Sequence, residues 1–317
     1  KEKSTARDIL FFEEYFDFKK DDYDKSTYIL GRVGNSIAVY KLSKNVIIHV
    51  FDFLINVYDK IIDFFVLKGY VFFYLRSVDY GDLILYMYDK RGGFILIEDT
   101  VLKNLLNAPI LFKDFESKRE IVVIEEFYIK NFFTSLDITG EDNFKNNIYL
   151  ISLDELIFSI KSKKEILYNI LRSNKGLNYI TILGKSDDSV VLFLSKPFYD
   201  NEILFYDVLC GKVIKRHKSK NIFLNSVEFD NRVYFKATND YDNEIIYDSR
   251  IRKVFSWQKN DLFSSFMFLG FYEDRYLVFK KENLNSQENV YNIYDRQNHF
   301  TKTFSSKLIM INDEILL

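Results

Sequence analysis

Short apolar runs separated by pairs of polar residues recur along most of the chain, and they come in fours. From Asn225, Val227–Phe229 is followed by Asp230-Asn231, Val233–Phe235, a polar loop, Ile245–Asp248 and Lys253–Trp257. Runs of this length with Asp- and Asn-rich turns read as antiparallel strands joined by hairpins. The same grammar appears at Phe266–Phe304, at Tyr179–Ile214 and at Ile61–Ile97. Near the start, Tyr28–Val33, Ile37–Leu42 and Val46–Phe51 read as the opening unit.

Two markers recur in phase with these strands. The first is the turn ending at Asn35, Gly69, Asp188, Asn231, Asp274 and Asp313, with later spacings of 43, 43 and 39 residues. The 119 residues between Gly69 and Asp188 leave room for one enlarged additional unit. The second is an aromatic residue followed by Asp at the end of the third strand: Phe51-Asp52, Tyr88-Asp89, Tyr206-Asp207, Tyr247-Asp248 and Tyr294-Asp295. Leu153-Asp154 is a poor sixth copy.

A period near 40 residues with four strands per repeat predicts β-propeller blades. Each sheet has two apolar faces that only neighbouring sheets can bury. The expected fold is all-β, a seven-bladed β-propeller forming one domain over residues 1–317. Its last blade would take Leu308–Ile311 and Glu314–Leu317 from one end and Ile9–Phe12 and Tyr15–Phe18 from the other. Six blades is the competing count.

Residues 101–176 fit the pattern least and are read as an irregular blade with short helical insertions. Ile121–Ile124 and Ile148–Ile151 resemble strands, while Ser152 and Glu155, and Ser162 and Glu165, have the spacing of capping boxes. Two alternatives stand: edge strands plus a short helix around Lys164–Arg172, or one helix over Leu153–Leu171. Val101–Ala108, ended by Pro109, is a further helical candidate.

The segment Ile203–Val213, with Tyr206-Asp207 and then Gly211-Lys212, resembles a blade ending of the WD-repeat or quinoprotein-like propellers. No copy carries the Gly-His and Trp-Asp pairs of a regular WD repeat, and Trp257 falls in the wrong strand. The resemblance implies a propeller and assigns no family.

Composition adds little to the architecture and more to function. Phe and Tyr number 32 and 23, against 11 Gly and 2 Pro, which suits strands but is also what an AT-rich genome encodes. The formal charge of −2 argues against bulk attraction to nucleic acid or anionic membranes. A single Cys excludes an internal disulfide and multi-thiolate zinc sites. No run approaches the length of a membrane-spanning helix. The start at Lys1, without an apolar leader or an initiator Met, is expected to be trimmed or processed in a soluble protein, leaving cytoplasm and export both open.

No catalytic motif, metal set or cofactor fingerprint is present, and His49, His217 and His299 are scattered. The run Asp240, Asp242, Asn243, Glu244 lacks the spacing of a calcium loop. The remaining candidate site is basic: Lys212, Lys215, Arg216, Lys218 and Lys220, with His217 among them, and a second cluster at Lys161, Lys163 and Lys164. Shared on one rim, they would meet an acidic partner or a phosphate backbone, the latter disfavoured by the near-neutral charge; the competing reading is a solvated outer strand.

The leading expectation is thus a noncatalytic binding or scaffold protein that recognises a protein, peptide or glycan through a propeller face. The alternative is a propeller-type hydrolase acting on a glycan or ester in the central channel.

Overall fold

The computed structural model describes residues 3–4, 14–21, 23–43, 46–56, 59–76, 83–113, 119–129, 144–173, 179–186, 189–195, 201–229, 232–239, 243–258, 267–272, 275–281, 289–295, 300–306, 310–311 and 314–315. The chain divides into two compact units, Lys1–Ser173 and Asn174–Leu317.

In the N-terminal unit the first sheet contains β1 (Lys3–Ser4), β2 (Glu14–Lys20), β3 (Thr27–Val33), β4 (Ser36–Ser43) and β5 (Val46–Leu54), in the order β1-β5-β4-β3-β2. The second is a plain meander of β6 (Lys60–Leu67), β7 (Tyr70–Arg76), β8 (Leu83–Asp89) and β9 (Gly93–Ile97). A one-turn helix α1 (Thr100–Lys103) leads to the third sheet: β10 (Ile110–Lys113), β11 (Glu120–Ile129), β12 (Phe144–Ser152) and β13 (Asn169–Ser173), with α2 (Leu153–Ser162) inserted before the last strand.

The second sheet shows why its strands read as unbroken apolar runs. Phe64 and Val66 point into a core shared with Leu30, Val39 and Phe51 of the first sheet. Their neighbours Phe65 and Leu67 point the opposite way, into a core with Val122, Ile124 and Ile151 of the third. Side chains alternate across a strand, so a sheet covered on both sides needs apolar residues at every position. Each fully buried Phe contributes about 2–3 kcal/mol.

The C-terminal unit repeats the scheme with β14 (Tyr179–Ser186), β15 (Ser189–Ser195), β16 (Asn201–Asp207) and β17 (Lys212–Ser219), then β18 (Ile222–Phe229), β19 (Arg232–Thr238), β20 (Asn243–Asp248) and β21 (Lys253–Gln258). A further meander follows: β22 (Met267–Tyr272), β23 (Tyr276–Lys281), β24 (Asn289–Asp295) and β25 (Phe300–Ser306). Last comes a two-stranded ladder of β26 (Met310–Ile311) and β27 (Glu314–Ile315). Phe235 joins Phe193 and Phe205 in one core, and adjacent Tyr234 joins Phe268 and Phe279 in the next.

One irregularity recurs where the first strand of a sheet meets the second. The register shifts between Tyr15 and Asp17, Ile61 and Asp63, Ile182 and Gly184, Phe223 and Asn225, and Phe268 and Gly270. Each shift leaves one surplus residue, a β-bulge that bends the strand and increases its twist.

Several expectations need correction. Tyr15–Phe18 lies within β2 and pairs with β3, so it is not an outer strand of a terminal blade. β3 is buried along Thr27–Gly31, its second edge requires main-chain partners, and β2 supplies them. The first unit therefore begins one strand earlier than the pattern suggested. Asn35 falls between the second and third strands, and Asp52 lies in the fourth. Ile9–Phe12 and the turn residues Asp188, Asn231, Asp274 and Asp313 lie outside the described residues.

In residues 101–176 neither helical alternative holds. Ser152 caps α2 by accepting from the Glu155 N–H at 3.1 Å, and Lys163, with φ 53°, ends it. Ser162 donates to the Phe158 carbonyl at 2.7 Å instead of capping a second helix, and Asn169–Ser173 pairs with β12 as a strand. Leu153-Asp154 opens a helix and closes no strand.

Candidate functional site

A cavity of about 1840 Å³ opens within the N-terminal unit. The first sheet contributes Tyr23 and Asp24 from the β2–β3 connection, Tyr28, Tyr40, Lys41, His49 and Asp52. The second sheet adds the Lys68-Gly69 turn, Tyr70, and Tyr88 to Arg91, while α2 adds Leu153, Asp154, Ile157, Phe158 and Lys161. Strand residues of two sheets, the turns that join them and one helix make the wall.

The β2–β3 connection is fixed by a buried carboxylate. Asp21, 1% exposed, accepts from the Tyr23 N–H at 3.0 Å and reaches across to the Lys68 and Gly69 N–H groups at 3.2 and 2.7 Å. Burial raises its pKa above 3.8, an effect the backbone donors only partly offset. Lys68 and Gly69 both have positive φ, 51° and 82°, which closes the β6–β7 hairpin in two residues and requires the left-handed freedom of glycine. Asp21 thereby locks the aromatic wall of one sheet to the turn of the next.

α2 presents Leu156, Ile157 and Ile160 to the core and leaves Phe158 58% exposed at the cavity. Lys161 at its last turn meets Asp89 at 2.7 Å and covers the Tyr70 ring at 5.1 Å. Asp89 ends β8, and its Oδ1 also accepts from the Arg91 N–H. Asp207 and Asp248 cap turns in the same way: Asp207 accepts from Leu209 and Cys210, Asp248 from Arg250 and Arg252. In these three aromatic-Asp pairs the carboxylate closes a turn, whereas Asp52 faces His49 and Asp295 pairs with Arg275.

Other charges at the cavity are similarly engaged. Lys41 pairs with Asp24 and lies 5.3 Å from the Tyr28 ring centroid. Lys68 meets Glu120 at 2.6 Å, and Lys68 and Lys113 flank the Tyr23 ring at 5.0 and 3.5 Å. His49 Nε2 lies 3.0 Å from Asp52 Oδ1. A bulge between Val39 and Tyr40 leaves Val50 surplus on β5 and turns His49 and Asp52 to one side of the strand.

Every resolved pKa shift among the cavity-lining groups moves away from neutrality. Asp24 and Asp89 are pushed up by burial but pulled further down by their lysines and backbone donors. Burial raises Tyr28; Lys68 and Lys161 are raised by their carboxylate hydrogen bonds; burial opposes, but does not cancel, the same effect on Lys41. Tuning of this kind fixes these charges in place.

The sequence-derived basic residues fall in different units. Lys161 lines the cavity, Lys163 caps α2, and Lys164 lies 5.1 Å from the Phe158 ring. Lys212, Lys215, Arg216 and Lys218 lie on β17, with Lys220 just beyond, all exposed. His217 Nε2 is buried without a hydrogen-bond partner, and burial lowers its pKa. The sequence pattern does not announce the cavity wall: Asp21 and Asp24 stand among Lys19, Lys20, Asp22 and Lys25, and the signal available was only Tyr23 and Tyr28 in that charged stretch. Among the described residues, no cluster could hold a metal ion and no helix is long and apolar enough to cross a membrane.

No family model matches the chain, and no curated protein does. Solved structures do. One described as the Dos1 propeller matches at 10% identity over 85% of this chain and 64% of its own, with TM-score 0.42. A prolyl endopeptidase, from a study of two such enzymes and their inter-domain dynamics, matches at 10% identity over 96% of this chain and 46% of its own, with TM-score 0.53. Hsv2 of Kluyveromyces lactis matches at 10% identity over 92% of this chain and 98% of its own, with TM-score 0.38. This chain spans less than two thirds of the first two structures. The prolyl endopeptidase propeller, matched at TM-score 0.53, and the repeated four-stranded sheets support a β-propeller fold. The WD-repeat resemblance gains no support from sequence families.

Proposed function

We propose that this chain is a noncatalytic binding module that takes a protein or peptide segment against the aromatic cavity of its N-terminal unit. The observation that carries this reading is the combination of exposed rings, Tyr23 and Phe158, with the ion pairs Lys41–Asp24, Lys68–Glu120 and Lys161–Asp89 around them. Aromatic anchors on a rigid frame supply contact area at low entropic cost and dominate binding energies. Lys164, 5.1 Å from the Phe158 ring, would add attraction for acidic partners. The same reading takes residues 1–317 as one propeller domain, with β26–β27 opening a seventh blade.

The hydrolase alternative has one observation in its favour, the His49–Asp52 pair at the cavity wall. A base and its orienting carboxylate act on water or on a protein nucleophile, but this pair is open to solvent, 41% and 59% exposed, and among the described residues no hydroxyl or thiol hydrogen-bonds to His49. Binding is the better-supported reading.

Selection of a displayed random-peptide library on the purified chain tests it. Enriched peptides are expected to lose at least about tenfold in affinity on Phe158→Asp or Tyr40→Ala, variants of exposed or half-exposed residues. Enrichment of nothing, or peptides indifferent to both variants, would sink the proposal. Retention of oligosaccharides in place of peptides on a glycan array would replace its ligand class.

A further inference from the structure

β17 is the outer strand of its sheet, in the order β14-β15-β16-β17, and among the described residues no strand pairs with its free edge. Its charge sets it apart. Lys212, Lys215, Arg216 and Lys218 lie within its eight residues, whereas β9 carries no cation and β13, β21 and β25 carry one each. The carboxylates on paired β16 are Glu202, 3.8 Å from Arg216, and Asp207, whose Oδ1 caps the Leu209 and Cys210 N–H groups. Lys218 and Lys220 form no ion pair among the described residues. Ile214 is left surplus by a register shift and is 55% exposed.

The chain itself shows what such an edge can accept. On the first sheet, β1 adds to outer strand β5 as a fifth, antiparallel strand, with Lys3 opposite Ile48 and Ser4 opposite Ile47. We infer that the free edge of β17 is a strand-addition site for an acidic, extended segment of a partner protein. Main-chain hydrogen bonds would supply the pairing, and the cations would select the segment by sign. Lysines on an edge also repel a second copy of that edge. The two effects agree: a basic edge refuses itself and admits an acidic strand.

The probe is a fluorescein-labelled peptide of alternating Val and Glu, titrated by anisotropy against the full chain. Binding is expected to weaken at least tenfold in the Arg216→Glu, Lys218→Glu double variant and to fall with added salt. Two further peptides, N-methylated at alternate residues in opposite phases, lose main-chain donors on one edge or the other; binding should be lost in at least one phase. Full binding in both phases would reduce the site to a charge patch and overturn the inference. So would equal affinity for an eight-nucleotide oligothymidylate, indifference to the charge reversal, or no binding by the parent peptide. If the double variant fails to unfold at the wild-type urea midpoint, Lys212→Glu with Lys220→Glu, at the ends of the strand, serves in its place. The cavity of the N-terminal unit is untouched by these variants, so the peptide-library result stands or falls separately.

Discussion

The backbone N–H of Gly69 donates to Asp21 at 2.7 Å, across the junction of the first and second sheets. That single bond is one of three made by a carboxylate 1% exposed. Asp21→Ala would leave the Tyr23, Lys68 and Gly69 N–H groups without their acceptor. The expected loss is about 2–4 kcal/mol in urea unfolding, from the desolvation cost of unpaired buried donors. Faster hydrogen exchange at Lys68 and Gly69 should accompany it. An unchanged midpoint would mean water replaces the carboxylate.

Lys161 and Asp89 couple α2 to the second sheet, and the coupling is expected to depend on pH with a definite sign. The Asp89 carboxyl sits below 3.8 in the folded chain, so its contribution is present above that value and is lost as pH falls through the folded pKa. At pH 7, Lys161→Met should cost about 1–2 kcal/mol, discounted because the lysine is partly exposed. The gap between variant and wild type should narrow as pH falls below 3.8 toward the lowered pKa of Asp89. A gap that did not change over that fall would show that packing over Tyr70, and not charge, is what the lysine supplies.

The two ends of α2 should respond in opposite directions. Ser152→Ala removes the cap on the Glu155 N–H and is expected to destabilise by about 1 kcal/mol. Lys163 holds a left-handed φ of 53°, which glycine adopts without strain, so Lys163→Gly should stabilise by about 0.5–1 kcal/mol. Thermal midpoints of the two variants, measured side by side, check the signs.

Gly184 sits at a bulge with φ 154°, and a β-carbon there would lie 2.5 Å from Ser226 Oγ on the neighbouring sheet. Gly184→Ala is therefore expected to cost about 2–3 kcal/mol through overpacking and backbone strain. Ser226→Gly in the same chain should recover the steric part, giving a coupling of about 1 kcal/mol in a double-mutant cycle. Strict additivity would place the whole cost in the backbone.

The repeating sheets were legible because alternation, Asp- and Asn-rich turns and apolar runs are local signals. Four units, beginning at Ile61, Tyr179, Asn225 and Phe266, were readable nearly strand for strand. The first unit was misphased because β2, with Lys19 and Lys20 at its end, looks like a polar connector, and its pairing with β3 is settled by burial that no short window reveals. The site was almost illegible. Asp21 and Gly69, or Lys161 and Asp89, meet only because neighbouring sheets stack, and nothing in the local pattern of either residue announces its partner. Tyr88-Asp89 was visible as a marker, while the helix that reaches it was read either too far along, at Lys164–Arg172, or too long, at Leu153–Leu171.

The surplus residue in the first strand falls on Phe16, Ile62, Leu183, Leu224 and Leu269. These five share little beyond apolar character, so the spatial frame is kept while the letters change. Length variation is then safe only between strands, where α2 and its ten residues were accommodated. Deleting the surplus residue would remove only the bend, but deleting a residue of a first strand away from the bulge would invert the side chains beyond it, sending core phenylalanines outward. In this molecule an indel of one inside a strand is graver than an indel of ten beside it.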